Sequence, residues 1–436
     1  MSRLPAAALV AALLALAALP AAAGAAANPW LAQRILVQAH QGGEDEYPSN
    51  TMYALRSSLR DGADMLELDV GATKDGRIVV LHDNTVDRVT NGHGSITGMT
   101  LAEAQRLDAA YWFVPGRNAV HGLPASSYPL RGVRTGDRRP PTGFTRGDFR
   151  IATLDEVLRA FPRTPMNIEI KGRDGGDQAV YDRTAELLAA LLRRSGRTDI
   201  IVTSFNQTAI DRFHALAPRV PLAPGIDGAA KFILSGGSPG PGVVAFQVPI
   251  TFRLGDQLLT VTTPDFVARA HEAGYAVHVW LSNDTEDVPT YRRLLGMCVD
   301  GIMAARPKLL LRHVRRAGIG TPSRPGNDPC TTRAARTATS TAKDVAVALA
   351  RRGASPEARR GTLELRATGR DGVKKGTLLG RARYTLAHGQ AKAGVRVALR
   401  EAARAALRRH VRLRAMATTT ERGAPLRTPL VIRRGA

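Results

Sequence analysis

Cysteine is nearly missing from this chain, with Cys298 and Cys330 the only two in 436 residues. Aromatic residues are scarce as well, and beyond residue 310 Tyr384 is the only one. Two thiols are too few for a sulfur-rich zinc centre. They suit an oxidising compartment, either as one disulfide or as two free buried thiols, and spacing alone does not choose. A segment with one aromatic offers no stack for bases, which argues against nucleic acid as its partner. The glycine-rich loops that cradle dinucleotides or nucleoside triphosphates are absent. Past the first 27 residues no run is long and apolar enough to span a bilayer.

Acidic residues are also in deficit: 38 Asp and Glu face 61 Lys and Arg, a net charge of +23. The imbalance is local. From residue 310 onward 29 basic residues meet 7 acidic ones, while the preceding part is nearly neutral at 32 against 31. A cationic tail on an exported protein meets phosphate-rich envelope polymers or anionic lipid heads first. Export is expected from the start of the chain, where Met1-Ser-Arg3 precedes an Ala/Leu/Val run and small residues up to Ala27. This pattern predicts a signal peptide over 1–27, cleaved to give a secreted or envelope-associated protein, with an uncleaved anchor as the alternative.

Apolar runs then alternate with helical patterns over about 280 residues, which predicts a (β/α)8 barrel over 28–316, with a doubly wound open sheet as the alternative. Thr153-Leu-Asp-Glu156 has the form of a capping box, and Asn50 is expected to cap a helix over Thr51 to Arg60. Residues 108–150 break the rhythm with Pro, Gly, Arg and aromatics. They read as an insertion that either shapes substrate access or packs on its own aromatics. A linker is expected over 317–342 and a small basic β-sandwich over 343–436, from polar–apolar alternation in short segments.

Charged residues close or interrupt four of the apolar runs. His40 ends Ile35–Ala39, Glu67 and Asp69 lie within Met65–Val70, His82 ends Arg77–Leu81, and Glu169 and Lys171 lie within Met166–Lys171. Residues two apart on a strand point the same way, and ionisable groups are costly to bury without a purpose. Carboxylates converging without cysteine suit one hard divalent cation, Ca2+ or Mg2+. Such an ion polarises a phosphoryl oxygen, Lys171 adds positive charge for an anionic substrate, and two imidazoles divide the proton transfers. Asp83 is expected to orient a neighbour. His278 is expected either to line the pocket or to pack, and His93 and His121 to lie on the surface.

The ordered set His40-Gln-Gly-Gly43, Tyr47-Pro-Ser-Asn-Thr51, Glu67-Leu-Asp-Val70, Val79-Val-Leu-His-Asp83, Asn167-Ile-Glu-Ile-Lys171 and Val277-His-Val-Trp280 resembles the glycerophosphodiester phosphodiesterase family. The resemblance covers roughly residues 34–310 and implies a TIM barrel of the phospholipase-C-like type that hydrolyses phosphodiesters with Ca2+ or Mg2+. It implies His40 and His82 as the acid/base pair, and Glu67, Asp69 and Glu169 as metal ligands. Lys171 and the residue at Gln41 would face the phosphate, and Trp280 the alcohol moiety. In the family a substrate hydroxyl attacks phosphorus and a cyclic phosphate follows. The sequence departs from the pattern at Gln41, where Arg is usual, at Ser49, where Glu is usual, and at Ala304-Ala305. The C-terminal segment resembles immunoglobulin-like appendages of secreted actinobacterial proteins.

The leading expectation is therefore a secreted phosphodiesterase that yields an alcohol and glycerol 3-phosphate. The aromatic insertion motivates a lysophospholipase D or sphingomyelinase D-like alternative that releases a cyclic phosphate. Gln41 motivates an inactive protein that binds envelope polymers through its basic domain.

Overall fold

The computed structural model describes residues 28–31, 35–172, 177–281, 286–421 and 424–435. The expected signal segment 1–27 lies outside the described residues. Among them, no helix is long and apolar enough to cross a membrane.

Eight strands between residues 36 and 260 open the chain: β1 (Leu36–Ala39), β2 (Met65–Ala72), β3 (Ile78–Val80), β4 (Met166–Ile170), β5 (Ile200–Thr203), β6 (Ala245–Pro249), β7 (Thr251–Leu254) and β8 (Gln257–Thr260). Two more follow, β9 (Ala276–Trp280) and β10 (Gly301–Ala304). Seven of these form a parallel sheet in the order β5-β4-β2-β1-β10-β9-β6. Leu222 bridges Val202 on one side and Val243 on the other, both in parallel. The ring thus closes through an eighth position reduced to one bridging residue, which is the expected (β/α)8 barrel rather than an open sheet.

Both faces of a barrel strand are covered, so these strands read as continuous apolar runs. The alternation inside each run decides what faces inward. On β2, Leu66, Leu68 and Val70 pack outward with Leu188 and Leu192 of the helix Gln178–Ser195. Met65 packs instead with Leu36, Ile201, Ala245, Ala276 and Trp30 at the base of the barrel. Two and four residues further on, Glu67 and Asp69 share the inward side with Met65 and rise toward the C-terminal mouth. The same step carries β4 from Asn167 to Glu169 and Lys171. Asn167 and Gln247 exchange amide hydrogen bonds of 2.9 and 2.8 Å across the interior.

The run ending at His82 is not a barrel strand. β3 pairs antiparallel with β2 through Val70–Val80, Gly71–Val79 and Ala72–Ile78, so it forms a hairpin folded back off the barrel. The helix after the first strand is Met52–Asp61, and its cap is Thr51, whose hydroxyl accepts from the Ala54 amide at 3.1 Å. Asn50 has another task, described below. The Thr153/Glu156 capping box forms as expected and opens Leu154–Ala160.

The insertion packs on its own rings. Arg131 lies over Tyr111, Trp112 and Tyr128 at 4.2, 4.5 and 3.6 Å. Trp112 stacks on His121 at 4.1 Å, Tyr128 is wholly buried, and Phe144 and Phe149 close on Tyr53.

Beyond the barrel stand β11 (Arg333–Ala334), β12 (Thr337–Ser340), β13 (Asp344–Ala350), β14 (Arg359–Ala367), β15 (Leu378–Leu386), β16 (Lys392–Ala398), β17 (Arg412–Glu421) and β18 (Ala424–Arg434). They form one eight-stranded sheet rather than two stacked ones. The sheet rolls until β15 and β16 meet, and a Cβ at Gly380 would lie 2.6 Å from the Ala398 carbonyl oxygen. Its core is Val345, Val347, Leu363, Leu365, Leu413 and their neighbours. Because β11 and β12 belong to this sheet, the stretch expected as a linker over 317–342 already contains strands from residue 333.

The module is fastened to the barrel at its base. Cys298, which caps the helix Val288–Met297, is bonded to Cys330. His271 is buried between Asp300, just before β10, and Glu357, just before β14, at 2.6 and 2.5 Å. These attachments lie at the N-terminal ends of barrel strands, opposite the mouth.

Candidate active site

Because Asp69 pairs with Glu169 in the β2–β4 register, neighbouring strands bring the inward carboxylates side by side. One oxygen each from Glu67, Asp69 and Glu169 lies within 4.8 Å of the others. Lys171 reaches the same place, 2.8 Å from Glu169 Oε1 and 3.3 Å from Asp69 Oδ1. Glu67 and Asp69 are 2 % and 0 % exposed. Burial and the charge of Asp69 push Glu67 up to about 8. Burial also works to raise Asp69, but Lys171, with His82 and an Asn50 hydrogen bond, holds it below the usual carboxylate range. Those same carboxylates hold Lys171 above its ordinary value against its own burial.

One ammonium does not balance three buried carboxylates. Among the described residues, Asp69 Oδ1 has no hydrogen-bond partner despite the nearby Lys171 ammonium. An all-oxygen donor set with excess negative charge fits a hard divalent cation, and an ion there would relieve the unbalanced charge on Glu67.

His40 follows β1 at the mouth. The next residue, Gln41, has a left-handed φ of 48°, and Gly42 and Gly43 have φ of 78° and 87°. This tight reversal folds Glu44 back under His40, so that the imidazole Nδ1 donates to Glu44 Oε1 at 2.7 Å. A carboxylate only accepts, so Nδ1 carries the hydrogen and Nε2 is left to face inward, 3.9 Å from Glu67 Oε2. Burial disfavours the charged ring, but Glu44, Glu67 and Asp69 outweigh it and push His40 up to about 10. A cation among the carboxylates would cancel part of that push.

His82 stands just after β3, where Leu81 donates its amide to the Asp69 carbonyl at 3.0 Å. Its Nδ1 meets Asp83 Oδ1 at 2.6 Å, and Arg88 binds Asp83 at 2.6 and 3.3 Å. Asp83 therefore orients His82, as expected. Burial works to raise Asp83, but His82 and Arg88 hold it far below the usual carboxylate range. The two histidines share one arrangement, with Nδ1 tied to a nearby carboxylate.

Gln41 contributes through its backbone, whose N–H donates to Glu67 Oε2 at 2.7 Å. Its side chain is 5 % exposed and its Oε1 is buried without a hydrogen bond. Trp280 ends β9 at the mouth, edge-on to Phe205 at 6.0 Å, and Phe205 in turn lies 5.7 Å from the Lys171 ammonium. His278 is wholly buried within the barrel, 6.4 Å from the Trp30 ring, and burial lowers it to about 4. It packs and does not line the mouth. His93 is largely exposed, and His121 lies against Trp112.

Four contributors escaped sequence reasoning. Asn50, at a φ of 59°, donates to Asp69 Oδ2 at 2.8 Å and accepts from the Asp69 amide at 3.2 Å. Its position in Pro-Ser-Asn-Thr and its tolerance of left-handed backbone were the available signals. Glu44 gave only its i+4 spacing from His40 beside two glycines. Arg88 gave only its i+5 spacing from Asp83. Glu286, raised to about 7 by burial, receives the Tyr291 hydroxyl and lies within electrostatic reach of His40.

The family model for the glycerophosphoryl diester phosphodiesterase family matches residues 40–309. A glycerophosphodiester phosphodiesterase of Caldanaerobacter subterraneus subsp. tengcongensis is 28 % identical over 286 residues, covering 65 % of this chain and all of the relative. One from Bacillus subtilis (strain 168) is 27 % identical over 307 residues, covering 66 % and 90 %. Among solved structures, a glycerophosphodiester phosphodiesterase from Agrobacterium tumefaciens str. C58 is 25 % identical with a TM-score of 0.45, covering 64 % of this chain and 99 % of that one.

Proposed function

Since the chain belongs to the glycerophosphoryl diester phosphodiesterase family, we propose that it is a secreted or envelope-associated, divalent-cation-dependent hydrolase of glycerophosphodiesters. The products are an alcohol and glycerol 3-phosphate. The observation that carries the proposal is the meeting of Glu67, Asp69 and Glu169 within 4.8 Å beside Lys171. His40 stands at the same carboxylates, with Nε2 3.9 Å from Glu67.

Glu67, Asp69 and Glu169 would hold one Ca2+ or Mg2+, which supplies Lewis-acid polarisation of the phosphoryl group and charge neutralisation. Lys171 binds and orients the phosphate as a second positive charge. His40 and His82 each keep Nδ1 on a carboxylate and present Nε2. One takes the proton from the attacking substrate hydroxyl and the other gives a proton to the departing alkoxide, which leaves a cyclic phosphate. The pair then takes a proton from water and returns one to the ring oxygen, so that water opens the ring to glycerol 3-phosphate. Glu44 and Asp83 fix the two rings in the tautomer that this exchange requires. Phe205, beside the Lys171 ammonium, and its neighbour Trp280 would offer apolar surface to the alcohol moiety.

The test is a panel of diesters assayed with Ca2+, Mg2+ or EDTA on the wild type and on His40→Ala. Hydrolysis that needs the cation and is lost in the variant supports the proposal. Equal rates in both proteins, or turnover indifferent to EDTA, would refute it.

A further inference from the structure

β14 starts at Arg359, just past the Glu357 that meets His271 of the barrel, and runs away from that attachment. Its last residue, Ala367, pairs with Ala415 near the start of β17, roughly 25 Å along the strand at ~3.3 Å per residue. The start of β17, the end of β18, the helix Glu401–Arg409 and the β14–β15 loop meet at this remote end of the module. Arg434 joins three of them. Its amide donates to the Val411 carbonyl at 2.9 Å, and its Nη1 donates to the carbonyls of Arg408 and Leu407 at 3.3 and 3.5 Å. The loop is held by Asp371, which accepts from the Arg414 amide at 2.6 Å and its guanidinium at 3.2 Å. A Cβ on Gly372 would lie 3.5 Å from His410 Nε2.

Six exposed cations crowd there: Lys374, Lys375, Arg409, Arg412, Arg433 and Arg434. The acidic residues of the same segments are already taken, Asp371 by Arg414 and Glu401 by Arg404 and Arg408. Among the described residues none of the six has a carboxylate partner. Arg412 and Arg433 even stand directly opposite each other in the β17–β18 register, where like charges weaken a strand pair. Val411, between the helix end and Arg412, is apolar and 71 % exposed. One bare apolar residue is ordinary. Set among unpaired cations, it completes the pattern of a surface that meets anionic headgroups.

We propose that this remote end docks the protein on an anionic lipid bilayer, with the six cations among the headgroup phosphates and Val411 in the headgroup layer. Long cationic side chains on strand, helix and loop ends spread over many phosphates at once, and a charged lipid surface offers them. A soluble polyanion would pair with the cations but leave Val411 in water. Nucleic acid would find no aromatic ring to stack on, since Tyr384 is buried. The proposal does not rest on the phosphodiesterase reading, because the cationic end and the catalytic carboxylates share no residue.

The experiment measures co-sedimentation of the chain from residue 28 onward with vesicles of phosphatidylglycerol and phosphatidylcholine in equal parts. Segment 1–27 is left off because its apolar run would enter lipid by itself. Binding should fall with added salt and vanish on phosphatidylcholine alone. Each basic residue near an anionic surface is worth about fivefold in partitioning, so Arg412→Gln/Arg433→Gln should bind roughly 25-fold more weakly. Its melting temperature should hold or rise, because the opposed charges are gone. Arg333→Gln/Lys392→Gln removes the same charge at the barrel end of the sheet, where both residues flank Ala350, and should bind nearly as the wild type does. Val411→Ser should weaken vesicle binding a few-fold and leave binding to soluble poly(glycerol phosphate) unchanged. No binding to the mixed vesicles, or equal losses in the two charge variants, would overturn the proposal. So would poly(glycerol phosphate) or DNA bound more tightly than the vesicles with Val411→Ser silent, since a soluble polyanion would then be the partner.

Discussion

Replacing Glu44 by alanine should slow turnover sharply while leaving the barrel folded. Glu44 Oε1 is, among the described residues, the sole hydrogen-bond partner of His40 Nδ1, at 2.7 Å, and Glu44 is 4 % exposed. A hydrogen bond to a charged group is worth about 1.5–3 kcal/mol. If His40 carries its proton only in the transition state, that is roughly 10- to 150-fold in kcat. The fold has little to lose, since Glu44 Oε2 is buried without a hydrogen bond among the described residues and Glu67 and Asp69 remain to face the His40 ring. Glu44 also raises His40, so the His40 limb of the pH–rate profile should move to lower pH in the variant. Glu44→Gln keeps an acceptor without the charge, and should recover much of kcat but not the pH shift. The assay is kcat and KM for glycerophosphocholine across pH with saturating Ca2+. Wild-type kcat in Glu44→Ala with an unmoved profile, or an effect confined to KM, would show that the ring does not depend on this carboxylate.

Asn50→Ala removes two hydrogen bonds to Asp69 and places alanine at a φ of 59°. It should raise the Ca2+ or Mg2+ concentration for half-maximal activity, on the order of tenfold, and an unchanged metal titration would contradict the role assigned to it. Reducing Cys298–Cys330, which closes a separation of 32 residues, should cost about 3–4 kcal/mol in the chain-entropy account. Because the bond sits at the base of the barrel, the melting temperature should fall while kcat/KM holds, and a parallel loss of both would place the bond nearer the chemistry than the structure does. Glu156 is held down to about 2 by Arg150 and the Thr153 cap, against partial burial. A depressed carboxylate stabilises the fold above its unfolded value, and that contribution is lost as pH falls through about 2. Glu156→Gln should therefore destabilise by on the order of 1 kcal/mol at pH 7, after solvent screening. The difference from wild type should shrink toward pH 2, and a constant difference would contradict the ionic origin.

Much of the barrel was legible because its strands are short apolar runs separated by capped helices. β3 marks one limit for a physical reason: Ile78-Val79-Val80 is as apolar as a barrel strand, and periodicity does not reveal whether a run pairs parallel or antiparallel. The rolled C-terminal sheet shows the same limit. Alternation in β14 and β17 declared strands, but the threonine- and alanine-rich β12 resembled a linker until pairing with β13 and β18 supplied its hydrogen bonds. Asn50 looked like a helix cap because Asx residues serve that role, and Thr51 took the position one residue later.

For the site, i, i+2 spacing alone placed Glu67 with Asp69 and Glu169 with Lys171 on common faces, since strand geometry is local. The sequence by itself thus determined which side chains look inward and which residue types are available for a hard cation and for proton transfer. Only tertiary structure decided the β2–β4 register that sets Asp69 beside Glu169, and the loop reversal that puts Glu44 under His40. It also decided the approach of Phe205 to Trp280 at the mouth. Apart from the His40–Glu44 reversal, which is local, those are contacts between residues distant in the chain, and their geometry is set by ring closure and packing rather than by any local preference of the backbone.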